Sequence, residues 1–213
     1  EAVLASIEEQ GKLTDELKRE ILAADTKARV EDLYLPYKKR RKTKADIARE
    51  AGLEELEQLL IDDPSANTET TAEKFICEGF ADTKAVLDGA RAILVDRFAT
   101  DADLVGAVRD RVYAEGAMRS AVVEGKEQEG AKFADYFEFS EDLTKLPSHR
   151  ILALFRGEAE GVLTLSFDPG DEAVYEGMIA ERFDLPVQES EWLAKAVRWG
   201  WRTKLQILSL IHI

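Results

Sequence analysis

Between Lys38 and Lys44 six of seven residues are basic, Lys-Lys-Arg-Arg-Lys-Thr-Lys, in a chain of 213 residues whose formal net charge is -14. A block of like charge repels itself and resists packing, so it sits in solvent or faces an anion. The chemistry it offers is neutralisation of phosphates, and Lys/Arg-rich runs of this length are one signature of nucleic-acid binding. The candidate contacts are Lys38, Lys39, Arg40, Arg41, Lys42 and Lys44. Just ahead of them Leu33, Tyr34, Leu35, Pro36 and Tyr37 form an apolar, aromatic anchor. Pro36 is expected to push Leu35 out of the helical region towards an extended backbone. The whole reads as a charged loop hung from a buried hinge.

Other groups capable of chemistry are scattered. Cys77 is the single cysteine, and one cysteine with one credible histidine, His149, cannot make a zinc site of the usual kind. Ser148 and His149 are adjacent at a predicted helix start, where they point apart, and no carboxylate is placed to orient the pair. Ser148 therefore reads as a cap and His149 as an exposed, anion-facing side chain, with Arg150 beside it as a further candidate phosphate contact. There is no Gly-x-x-x-x-Gly-Lys loop and no Gly-x-Gly-x-x-Gly to cradle a nucleotide. Asp and Glu make up 43 of 213 residues, so close carboxylate pairs are expected by chance. Trp192, Trp199 and Trp201 could stack bases, but their spacing suits core packing better. No catalytic residue, metal or cofactor is expected, and no enzymatic activity.

The composition is that of a globular chain, 45% hydrophobic and 34% charged, long enough for one large domain or two small ones. No apolar run reaches the length that spans a bilayer, and no secretory signal is visible. A single cysteine fits a reducing compartment, and we expect a cytoplasmic protein with no membrane partner. The acidic balance argues against coating nucleic acid over the whole surface, which throws the weight onto the basic run.

The elements that must hold this run are mostly helices. Thr14 looks like an N-cap, and Leu13, Leu17, Ile21 and Leu22 predict a helix to about Asp32. Thr43 with Asp46 three residues on resembles a capping box, and Gly52 is a left-handed stop before a helix carrying Leu53, Leu56, Leu59 and Leu60. Two short helices around a glycine turn resemble a helix-turn-helix. The second, with Glu50, Glu54, Glu55 and Glu57, would repel phosphates, so an ordinary helical hairpin is preferred. Val86, Ala90, Ile93, Leu94 and Phe98 mark the next core helix. Thr100 is read as the cap of one carrying Leu104, Val108 and Val112, and Cys77 as a buried structural thiol. Val122-Val123 could be a short strand, and Val162–Phe167 alternates as a strand should. Leu193, Val197, Trp201 and Leu205 stand four apart in the last helix, a stripe for burial. The fold class expected is mainly α, multi-helical at the N-terminal side with a helix-turn-helix-like hairpin, and at most a small β element.

One run of residues also carries a resemblance. Glu31-Asp32-Leu33-Tyr34-Leu35-Pro36-Tyr37-Lys38, the basic residues after it and Thr43-Lys44-Ala45 resemble the N-terminal region of the bacterial Tex family of transcription accessory proteins. Ala81–Ala85, Leu87–Arg91, Gly125-Lys126-Glu127, Glu129–Phe133, Pro147–Arg150, Phe155-Arg156-Gly157 and Glu160–Leu163 continue the match in order along nearly the whole chain. One departure is Lys39, where the family often has proline. The resemblance implies a Tex-like N-terminal helical domain over 1–115 and a truncated central helical region over 116–207. Residues 208–213 leave the pattern and read as a non-native tail. It also implies RNA or other single-stranded nucleic acid as partner, and with it the transcription machinery. In the family this segment is followed by an RNase-H-like domain, helix-hairpin-helix elements and an OB-fold RNA binder, none recognised in these residues, so binding by this piece alone is expected to be weak. The competing expectation is a scaffold whose acidic helical surface docks a protein.

Overall fold

The computed structural model describes residues 2–38 and 41–210. It divides into two units, one taking the described residues of Glu1–Val108 and Ala173–His212, the other Arg109–Glu172. The fold is mainly α, with one small three-stranded sheet.

In the first unit α1 (Ala2–Glu9), α2 (Asp15–Ala23) and α3 (Lys27–Tyr34) enclose a small core of Ile7, Ile21 and Leu33. Thr14 caps α2 by accepting from the Leu17 amide at 3.1 Å. The helix predicted to run on to Asp32 is in fact broken at Ala24, whose backbone turns extended, and Thr26 recaps the chain by accepting from Arg29 N. A Thr two residues further on offers its own oxygen to the free amides, which restarts a helix at little cost.

After the basic segment come α4 (Lys44–Glu50), α5 (Leu53–Asp62) and α6 (Thr68–Glu73), then the long α7 (Thr83–Thr100). Gly52, at φ +81°, makes the left-handed turn between α4 and α5 that a side chain would resist. Both helices pack on α7, and Ala48, Leu53, Leu56, Leu60, Val86, Ala90 and Ile93 share its core. The pair is a helical hairpin built onto a third helix. Cys77 is only half-buried, in a short bridge to Phe80, because its segment lies outside any helix. The cap before α8 (Ala102–Glu115) is Asp101 and not Thr100: its carboxylate accepts from Leu104 N at 2.8 Å, while the Thr100 hydroxyl bonds back to Asp96 O within α7.

The remaining first-unit helices are α10 (Glu172–Arg182), α11 (Glu191–Gly200) and α12 (Gln206–Leu210), the last two joined by a wider π turn over Trp201–Leu205. Leu193, Val197, Trp201 and Leu205 are all buried as predicted. A strict repeat of four advances roughly 40° per step on a helix of 3.6 residues per turn. The wider turn takes up part of that drift and keeps Leu205 facing inward. The Trp201 ring stacks on Tyr175 at 4.2 Å, and Ser209 of α12 is buried. Of the expected tail, residues 211–213 lie outside the described residues.

The second unit holds the sheet, in the order β2-β1-β3, all antiparallel: β1 (Ala117–Val122), β2 (Glu138–Asp142) and β3 (Leu163–Asp168). Only β3 was marked by alternation. The centre strand β1 carries a buried serine, Ser120, whose hydroxyl donates to Tyr136 O at 2.7 Å, and pairs it with Leu165 and Phe139. Helix α9 (Ser148–Ala159) packs on β3 through Gly157, where a Cβ would stand 2.4 Å from Leu163 Cδ1. The cap position of α9 is Pro147, whose ψ of 151° makes it extended; Ser148 is the first helical residue and so stands one position too late to cap the helix.

Glu57 was counted among the acidic surface residues of α5, but its side chain is only 1% exposed and accepts from Arg97 of α7 at 2.6 Å. Burial holds its carboxyl above the usual 4.5, against the pull of Arg97. The native state therefore keeps this proton to a higher pH than the unfolded chain, and the stability it contributes falls as pH rises from about 4.5 through the raised native value. Glu57→Gln removes that loss. The variant's Tm relative to the parent should climb as pH rises above about 4.5, and an unchanging difference would contradict the assignment.

Gly200 lets α11 approach α7 closely, since a Cβ there would lie 2.7 Å from Cδ2 of the fully buried Phe98 ring. Gly200→Ala gains up to about 1 kcal/mol of helix propensity but overpacks by about 1–3. A net loss of about 1–2 kcal/mol is expected, read as a lower urea midpoint at unchanged m-value.

Candidate nucleic-acid interface

Within the first unit the basic segment starts from a well-fixed anchor. Leu33 is buried, Tyr34 and Tyr37 pack on the same core, and the Tyr34 hydroxyl lies 2.9 Å from Ser6 Oγ. The Gln10 side-chain amide donates to both Ser6 O and Tyr37 O, at 2.9 and 2.8 Å. This ties the exit of the anchor to α1.

The expectation for Leu35 is corrected here. Its backbone is helical (φ -46°, ψ -46°), and Leu35–Tyr37 forms a 3-10 turn with Pro36 in its first positions. Proline tolerates the start of a helical turn because the amide it lacks has no partner there anyway. The anchor is thus a tight turn continuing α3, and the backbone becomes extended only at Lys38.

Lys38, Arg41, Lys42 and Lys44 are exposed. Lys39 and Arg40 lie outside the described residues. Lys42 forms an ion pair with Glu50. Between two exposed groups such a pair is worth about 0–1 kcal/mol, so a phosphate can displace it. The far end of the segment is pinned by the predicted capping box: Thr43 Oγ1 accepts from Asp46 N at 3.2 Å, and Asp46 Oδ2 accepts from Thr43 N at 2.8 Å. Behind it Arg49 donates to Asp96 of α7 at 2.9 Å, fastening α4 to the long helix.

His149 and Arg150 belong to the second unit. His149 is exposed. One Nη of Arg150 donates to both Glu141 oxygens, at 2.9 and 2.7 Å, which holds its guanidinium firmly protonated.

Sequence reasoning missed what the fold sets beside Lys44. Trp199 is not core: it is 52% exposed, and the Arg91 guanidinium stands 4.9 Å from its ring centroid. The available signal was its position off the stripe of Leu193, Val197 and Trp201, which leaves it on the opposite face of α11. Among the described residues no group of three or more His, Cys, Asp or Glu is placed to hold a metal ion, and no helix is long and apolar enough to cross a membrane.

A family profile described as Tex central region-like matches residues 63–211. The chain belongs to the Tex family. It is 48% identical over 210 residues to the transcriptional accessory protein Tex of Neisseria gonorrhoeae, covering 95% of this chain and 28% of that protein. To protein YhgF of Escherichia coli (strain K12) it is 48% identical, over 100% of this chain and 29% of the relative. To the human S1 RNA-binding domain-containing protein 1 it is 28% identical over 179 residues, 80% of this chain and 18% of that one. The chain thus spans less than a third of the length of these relatives.

The capping box sets where the basic segment stops and the Tex chain's α4 begins. Thr43→Ala should cost about 1 kcal/mol of stability, the usual price of a lost Ser or Thr cap, with Thr43→Asp recovering most of it in a thermal melt. Equal melting of the alanine variant and the parent would mean that the cap holds nothing in place.

Proposed function

We propose that this Tex-family chain is a non-enzymatic, cytoplasmic RNA-binding segment of a transcription accessory protein. Its contact is the sugar-phosphate backbone of a single strand, made by Lys38, Lys39, Arg40, Arg41, Lys42 and Lys44. The observation that carries this reading is six cations within seven residues, in a chain of net charge -14, held between an anchored turn and a capped helix. A run of cations tethered at both ends gives up less conformational entropy on meeting phosphates than a free tail does. Support also comes from the relatives, a transcriptional accessory protein in one case and an S1 RNA-binding domain-containing protein in another. His149 and Arg150 are proposed as secondary contacts. The non-catalytic role rests on the scarcity of nucleophile, base and metal-ligand sets in the sequence.

If three to five phosphates are neutralised, affinity for single-stranded RNA should fall with salt at a log–log slope of roughly -2 to -4. Replacing all six cations by glutamine should abolish binding for every sequence alike, because backbone contacts carry little sequence information. The fold should survive, exposed substitutions seldom costing more than about 0.5 kcal/mol each. Tyr37→Ala should do the reverse and lower stability first, since it unpacks the anchor. Should the glutamine variant bind as tightly as the parent at equal salt, the scaffold reading, with acidic helices docking a protein, takes the place of this one.

A further inference from the structure

Within the first unit, α4, α7, α11 and the π turn border a cleft of about 290 Å³, at the lower end of the size usual for small-molecule sites. Thr43 and Lys44, the last residues of the basic segment, form part of its wall; Arg91, Trp199 and Lys204 form much of the rest. The electrostatics of this wall are set by which charges are already paired. Asp88 is bonded to Arg91 at 2.7 Å, and Asp96 to Arg49 at 2.9 Å. Lys44 and Lys204, both exposed, form no ion pair among the described residues. Once the two carboxylates are matched by the two arginines, the lysines leave the cleft with a net positive charge in a strongly acidic chain.

The same wall offers a large aromatic surface. Trp199 is half-exposed, and the Arg91 guanidinium lies over its ring. Asp88 in turn holds that guanidinium, so the aromatic is braced before any ligand arrives. A tryptophan left half in water beside unpaired lysines is the arrangement that single-strand binders use, with cations along the backbone and an aromatic ring on which a base stacks.

We infer that this cleft seats one unpaired base of a single-stranded nucleic acid on Trp199, with Lys44 and Lys204 on the flanking phosphates. The inference rests on the proposed backbone contact at Lys38–Lys44 and extends it, because Lys44 belongs to both. A single cleft of this size takes one nucleotide, so the site reads the unpaired state of the strand and not its sequence. A duplex keeps its bases stacked inside and cannot use it.

The test compares single-stranded oligouridine with an abasic strand of the same length and charge, on the whole 213-residue chain at fixed salt. The parent should bind oligouridine roughly tenfold more tightly, the scale of one base–aromatic stack. Trp199→Ala should erase that ratio while leaving the salt slope unchanged, and Trp199→Phe should restore much of it. Lys204→Gln should keep the ratio but make the slope shallower by about 0.7, one phosphate's worth on a single strand. Circular dichroism should show all three variants folded, the changed side chains being half-exposed or exposed. If Trp199→Ala keeps the parent's preference while the six-glutamine variant loses all binding, the cleft is not a base seat and the backbone reading stands. If neither strand binds the parent, both readings fall together.

Discussion

In α7 the residues Val86, Gly89, Ala90, Ile93, Leu94, Val95 and Phe98 are all buried. At 100° per residue these positions run around most of the helix circumference, and a helix apolar on so many sides has to be covered on as many. It is: α4 and α5 lie on it, α6 touches it, and α11 with the π turn closes it off. Each large aliphatic or aromatic side chain so buried contributes about 1.5–3 kcal/mol relative to exposure. Neither α4, with seven residues, nor α6, with six, could persist alone in water, since isolated helices below about 12–15 residues are marginal. Their helicity is a consequence of α7.

The charged groups follow from the same packing. Glu57 could not remain buried without the Arg97 guanidinium, which also lies 5.5 Å from the Phe183 ring centroid. A carboxylate taken from water is costly unless it is paired and hydrogen-bonded. The Arg49–Asp96 and Arg91–Asp88 pairs sit at the rim of the cleft, each with an Asp on α7. Because these carboxylates are spoken for, Lys44 and Lys204 are not quenched by the two aspartates of the cleft wall. Local positive potential in a chain of net charge -14 is thus a product of pairing geometry.

What the sequence by itself determined lies within a few residues along the chain. The Thr43–Asp46 capping box, the Thr14 cap, the left-handed Gly52 and the stripe of Leu193, Val197, Trp201 and Leu205 were all legible. Each depends on contacts at spacings of three or four, or on one residue's own backbone freedom. The strand β3 was legible because its alternation is carried in its own residues. The six cations were equally plain, since a charge run needs no partner to be seen, although Lys39 and Arg40 lie outside the described residues.

Tertiary structure decided the rest, because the deciding contacts are distant in sequence. Strand β1 owes its place to partners at Phe139 and Leu165, and its buried Ser120 is tolerable only because its hydroxyl donates a hydrogen bond to Tyr136 O. Leu35 stays helical before Pro36 where the local rule favours extension: its amide bonds back to Glu31 O and Asp32 O, and Tyr37 O is held by Gln10. Glu57 looked like surface charge until Arg97, forty residues on, was seen to pair with it. Lys44, Arg91, Trp199 and Lys204 share one cleft only once α4 and α11 are laid against α7. No spacing rule links residues so far apart; burying α7 does.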